Sequence, residues 1–149
     1  MDKFIIKIDW QRSTEDFTYE TFNRSHLLHV GGDQTIHNSA APEFKGVKDT
    51  TNPEELLAAS LASCHMLTFL AIASKSGYTA DNYQCQAEAF LEKNTNGKMA
   101  VSKITLRPNI SFSGDKFPTT DQLKSLHDKA HANCFIAQSI NTLVNVIAS

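Results

Sequence analysis

The chain has 149 residues, enough for one domain with a real core, and carries 14 basic and 16 acidic residues for a formal net charge of -2. No basic run or stripe is present, which argues against a nucleic-acid partner. The three cysteines follow a start, MDKFIIKIDW, that does not read as a secretory signal, so they are expected to be free thiols of a cytoplasmic protein rather than a disulfide framework.

Phe4, Ile6, Ile8 and Trp10 alternate with Ile5, Lys7 and Asp9, which predicts a strand with one buried face. Phe17 to Phe22 predicts a second. His26 to Val30 and Gln34 to His37 flank Gly31-Gly32-Asp33, a hairpin pattern, and Ser39 to Thr50 reads as a loop. Then comes the stretch TNPEELLAASLASCHMLTFLAIASKSG, Thr51 to Gly77. Asn52 suits an N-cap, Pro53 the first helical position and Gly77 the residue past the end. The helix between them is apolar nearly all round, so it belongs in a core or an interface. Ser60, Ser63, His65 and Thr68 make it a poor lipid-facing span, and no membrane partner is expected.

Tyr83, Cys85, Ala87, Ala89 and Leu91 alternate as the buried face of a further strand. Asn94 to Gly97 is a turn. Ile104 to Phe112 is its paired strand, in which Pro108 suggests an edge or a bulge. Thr119 or Thr120 can cap a second helix carrying Leu123, Leu126, Ala130 and Cys134, and Ile140 to Ile147 is a last strand. This order predicts a single α+β domain over residues 1–149, with long helices on a mostly antiparallel sheet. A helix apolar on every side is more than one sheet face can cover, which predicts a homodimer.

Cys64 lies in the middle of the apolar helix. A free cysteine with a pKa near ~8.5 is about 3% thiolate at pH 7, and burial lowers that fraction. Lowering the pKa by ~2 units takes roughly 2.7 kcal/mol of thiolate stabilisation. Cys64 is three turns from the helix start, too far for the dipole, so a cation is expected, with Arg24 as first candidate and Glu54 as its orienting carboxylate. Glu54 and Cys64 are ten residues apart, ~15 Å along one helix, and cannot share a site in one chain. If two copies of the helix pair antiparallel about Ala59, where Ala58, Ser60, Ala62 and Ser63 are small, Glu54 of one copy is level with Cys64 of the other. Active sites at the dimer interface follow.

NPEELLAASLASC followed by AHANCFIAQS resembles the OsmC/Ohr family of thiol peroxidases, from about Phe17 to the C-terminus. The resemblance implies a two-layer α+β fold, an intertwined homodimer and reduction of organic hydroperoxides without a cofactor or metal. It makes Cys64 the peroxide-attacking thiol, Cys134 the resolving one, Arg24 the thiolate-stabilising cation and Glu54 its partner. A dithiol, of lipoyl type for example, would be the reductant. Two departures stand out. Phe135-Ile136 follows Cys134 where proline is usual, and His65 follows Cys64 where an apolar or aromatic residue is common. Together with Arg24-Ser25-His26 they resemble a less characterised branch.

Other readings of the same residues remain. Buried cysteines are usually inert, and Cys85 is read as core. Arg24 and Glu54 can be a surface ion pair and a helix-start charge. His127, His131 and Cys134 share a helix face and, with Cys64, could bind a metal. His65 lies ~100° around the helix from Cys64 and reads as a hydrogen-bonded core histidine. Leu61, Met66, Leu67, Phe69, Phe135 and Ile136 are candidates for an apolar approach to the thiol. A silent binding dimer is the remaining alternative to an enzyme.

Overall fold

In the computed structural model, which describes residues 1–149, the long apolar run forms one helix, α1, over Pro53–Lys75. Its start is held as expected. The Glu55 amide donates to the Asn52 side-chain oxygen at 2.9 Å, and the Asn52 amide group returns a bond to the Glu55 carboxylate at 3.0 Å. At its end Gly77 turns left-handed at φ +85°, so that the Tyr78 amide reaches the carbonyl of Ala73 at 3.0 Å and the Gly77 amide that of Ser74 at 3.1 Å.

The chain divides into two compact units, Met1–Leu56 and Leu57–Ser149. The first holds a three-stranded antiparallel sheet of β1 (Lys7–Asp9), β2 (His26–Val30) and β3 (Gln34–Asn38), in that order. The Gly31–Asp33 turn joins β2 and β3, with Gly32 at φ +71°. Buried Asn38 ties this sheet to the segment before α1: its amide donates to His26 Nε2 at 3.1 Å, and its oxygen accepts from the Thr51 hydroxyl at 2.8 Å.

Phe17 to Phe22, expected as a strand, is not one. The amides of Thr21 and Phe22 turn back onto the Thr18 carbonyl, at 3.2 and 3.0 Å. The aromatic rings pack on one another locally instead, Trp10 edge-on to Phe17 at 6.0 Å and Phe17 tilted against Phe22 at 5.5 Å. The first predicted strand likewise shrinks to Lys7–Asp9.

The second unit is built on a long hairpin, β4 (Thr79–Lys93) and β5 (Met99–Ser113), closed by the Asn94–Gly97 turn. Tyr83, Cys85, Ala87, Ala89 and Leu91 are half-buried, while Gln84 and Gln86 face out. The second helix, α2, covers Thr120–Asn133 and starts in a capping box between Thr119 and Gln122. It leads to β6 (Leu143–Val146), which joins β5 in parallel, so β5 is central and the sheet is mixed. Pro108 sits where β5 is locally an edge, paired with β4 alone, and not at a bulge. It lies past the last β5–β6 pair, Leu106↔Val146, and the register shifts fall at Ala80/Asn82 and Phe90/Leu91. The architecture is α+β, with two helices, one mixed sheet and one antiparallel sheet.

One stripe of α1, Ala58, Leu61, His65, Phe69 and Ala73, is buried. Its first part packs with Ile104, Leu106 and Cys134, and its second with Tyr78, Leu126 and Ala130. This places Cys64, one position off the stripe, beside the end of α2.

Candidate functional site: two thiols and the turn that joins them

Cys134 is fully buried at the C-terminal cap of α2, in extended conformation at φ -73° and ψ 116°. The chain then turns sharply. The Ala137 amide donates to Cys134 Sγ at 3.4 Å, the Gln138 amide to the Cys134 carbonyl at 3.1 Å, and the Ser139 amide to that of Ile136 at 2.9 Å. The turn sets three groups that favour the Cys64 thiolate, the Cys134 thiol and the amides of Ile136 and Phe135. Thr68, one helical turn after Cys64, is the fourth. Its hydroxyl has one proton, so its 2.8 Å bond to the Cys64 carbonyl and a bond to the sulfur are alternatives.

Burial pushes the Cys64 thiol up, but the bonds from Cys134, Ile136, Phe135 and Thr68 outweigh it and hold it below the ordinary thiol range. Cys134 moves the other way. Burial raises it, and donating to Cys64 raises it further, against the opposing Ala137 amide. The pair is thus divided into an anion-prone sulfur and a thiol that keeps its proton. Cys85, on β4, is raised by burial, as suits a core cysteine.

A cavity of about 380 Å³ opens onto Cys64, lined by Ser60, Ser63, Leu67, Thr68, Phe135 and Ile136. Of the residues expected to form an apolar approach, Leu67, Phe135 and Ile136 do so. Leu61 and Phe69 lie instead on the buried stripe, and Met66 is not in the lining.

His65 is a core histidine: its Nε2 meets Nδ1 of His127 at 3.0 Å, and both side chains are buried. That bond occupies Nδ1 of His127, and no group of three His, Cys, Asp or Glu side chains is placed to hold an ion. The metal alternative has no ligand set here.

Arg24 and Glu54 lie in the N-terminal unit. The Arg24 guanidinium donates to the carbonyls of Phe22 and Tyr19 and sits 3.6 Å from the Phe22 ring centroid. Glu54 has a buried carboxylate oxygen with no partner in the chain, and the two residues form no ion pair with each other. Thr68 and the two amides escaped the sequence reading. Thr68 was legible as the i+4 neighbour of Cys64. Backbone amides have no residue signature, and the only hint was that residue 135 is not proline.

The Phe135 amide makes no other backbone bond, and Cys134 at ψ 116° suits a residue preceding proline. Phe135→Pro therefore removes that one N–H from beside Cys64. Alkylation of Cys64 at neutral pH should slow about tenfold, as losing one bond to a charged group implies. Phe135→Ala, which keeps the amide, should not slow it; equal rates for the two variants would remove the amide from the site.

The fold thus places two thiols together, Cys64 on α1 packed against buried Cys134 at the end of α2, on an α+β scaffold. Residues 46–149 match the family of OsmC-like proteins, and the chain belongs to that family. Among solved structures it is similar to an OsmC-like protein of unknown function from Vibrio cholerae, with 39% identity, a TM-score of 0.95 and 100% of each chain covered. It is 27% identical over 122 residues to the uncharacterized protein YmaD of Bacillus subtilis, 79% of each chain. It is 29% identical over 103 residues to peroxiredoxin OsmC of Escherichia coli, 69% of this chain and 68% of that one.

Proposed function

We propose that the protein is a thiol peroxidase that reduces organic hydroperoxides. The observation that carries this is the placement of the two sulfurs, with Cys64 open to an apolar cavity and packed against fully buried Cys134. Cys64 is held towards thiolate by donors, while adjacent Cys134 retains its proton. Peroxidase chemistry needs that asymmetry, and a merely structural pair has no use for it.

The Cys64 thiolate attacks the distal peroxide oxygen. The O–O bond breaks, the alkoxide leaves and takes a proton, and Cys64 becomes a sulfenic acid. The Cys134 sulfur then attacks the Cys64 sulfur, releasing water and forming a disulfide. A cytoplasmic dithiol, of lipoyl type for example, restores both thiols by exchange. The apolar cavity beside Cys64 favours an alkyl hydroperoxide over hydrogen peroxide.

The working form in this reading is a homodimer. Only 28% of the apolar stretch of α1 is buried within one copy, and Phe4, Ile5, Leu67 and Phe135 are exposed. The unpartnered Glu54 oxygen supports the same view. The roles that the family resemblance gives Arg24 and Glu54, cation and orienting carboxylate, would be filled in that dimer.

The test is a thiol count. One equivalent of an alkyl hydroperoxide should consume two free thiols per chain, and a dithiol should make consumption catalytic. Loss of one thiol would take resolution away from Cys134; loss of none would end the peroxidase reading.

A further inference from the structure

Two buried histidines join the helices that carry the two thiols. His65 follows Cys64 on α1, and His127 lies two turns before Cys134 on α2. Their rings are parallel to within 7°, with centroids 5.3 Å apart, and are linked by the 3.0 Å nitrogen–nitrogen bond. His127 stacks in turn on Phe69, at 4.4 Å and 29°. We propose that His65 and His127 are a positioning pair that fixes the rotation of α1 about its axis and so sets Cys64 against Cys134. The proposal rests on the reading of these two cysteines as a disulfide-forming pair.

The need for such a pair follows from the sequence of α1. Leu57, Leu70 and Ile72 flank the buried stripe and are as apolar as Leu61 and Phe69 within it. Apolar burial has no direction, so it discriminates poorly between these faces. The one polar member of the stripe is His65. A hydrogen bond between two rings is directional, and a buried polar group without its partner is costly, so the bond selects one rotation. Side chains on a helix stand about 5–6 Å from its axis, so a rotation of about 20° moves the Cys64 sulfur by about 2 Å. A disulfide is itself only about 2 Å long, so a slip of that size decides whether it closes.

Stability alone does not account for the pair. His127 Nε2 is buried with no hydrogen-bond partner. Replacing both partners of a buried polar pair by apolar groups of similar shape is often neutral or stabilising. The pair is therefore kept for something other than its contribution to folding.

The test uses diamide, which closes a dithiol whatever its activity towards peroxides. The two thiols lose two protons and two electrons, and the N=N bond of diamide takes them up to become a hydrazine. The double variant His65→Leu/His127→Leu is expected to melt within a few degrees of wild type yet close its disulfide ten- to a hundredfold more slowly, the range for a misplacement of an ångström or more. Single variants guard against misfolding of the double. His127→Gln, which can still bond to His65, should recover most of the closure rate that His127→Leu loses. Closure at the wild-type rate in the double variant, or equal slowing in the Gln and Leu variants, would overturn the proposal. Normal diamide closure with no hydroperoxide turnover would instead sink the peroxidase reading and leave the positioning pair intact.

Discussion

Cys64→Ser should abolish consumption of an organic hydroperoxide in the presence of a dithiol. A serine hydroxyl is not ionised at neutral pH, so the donors around position 64 have no anion to hold and the O–O bond no nucleophile. Cys134→Ser should behave differently. The first attack survives, more slowly because the thiol donor becomes a hydroxyl, but the sulfenic acid has no adjacent sulfur to condense with. Excess peroxide then drives Cys64 on to sulfinic acid, a gain of two oxygens in the intact mass, where wild type loses two hydrogens. Cys85→Ser should leave both the rate and the mass pattern unchanged, since Cys85 sits on the core face of β4. Undiminished turnover in Cys64→Ser would move the chemistry to another residue, and a disulfide in Cys134→Ser would show that a different cysteine resolves.

What could be read in the residues divides along a physical line. The limits of α1 were legible because caps are local: Asn52, Glu55 and Gly77 act within a turn of where they stand. The capping box at Thr119 and the hairpin around Gly31–Asp33 were legible for the same reason. Phe17 to Phe22 misled because β-propensity reports a fit to a half-buried pleated surface, and no strand lies there to supply one; the aromatic rings pack on one another instead. At the site, Cys64 and Cys134 were visible by type, whereas their separate protonation preferences were not. The reading looked to a cation for the thiolate because side chains are what a sequence displays. The donors found in the C-terminal unit are two amides, a thiol and a hydroxyl, brought in by the path of the chain after Cys134. The partner of His65 was equally hidden, 62 positions away on another helix.

The same histidine pair sets the largest expected effect on stability. Burial lowers the pKa of His65 from 6.5 to about 4, helped by the charges that His127 and His131 would carry, and burial also takes His127 to about 4. Both depart in the direction that favours the neutral ring in the folded state. The unfolded chain therefore binds more protons between pH 6.5 and 4, and stability rises with pH across that interval. It is fully present above 6.5, is lost as the pH falls, and stops falling from this source below about 4. A depression of this size is worth roughly 3 kcal/mol for one imidazole, a large share of the stability of a domain of this length. The second adds less than the same again, because the two rings share one bond and the first charge opposes the second. Urea unfolding of wild type across that range should show the loss, and His65→Leu/His127→Leu should show a shallower one. The difference between the two curves removes the contribution of surface groups such as Asp9 and Glu20, whose lowered values cost stability as the pH falls through the ordinary carboxylate range and so overlap the acid end of the interval. Parallel curves for the two proteins would mean that the buried rings gain their protons as readily folded as unfolded, and that the site around them is wetter than its burial indicates.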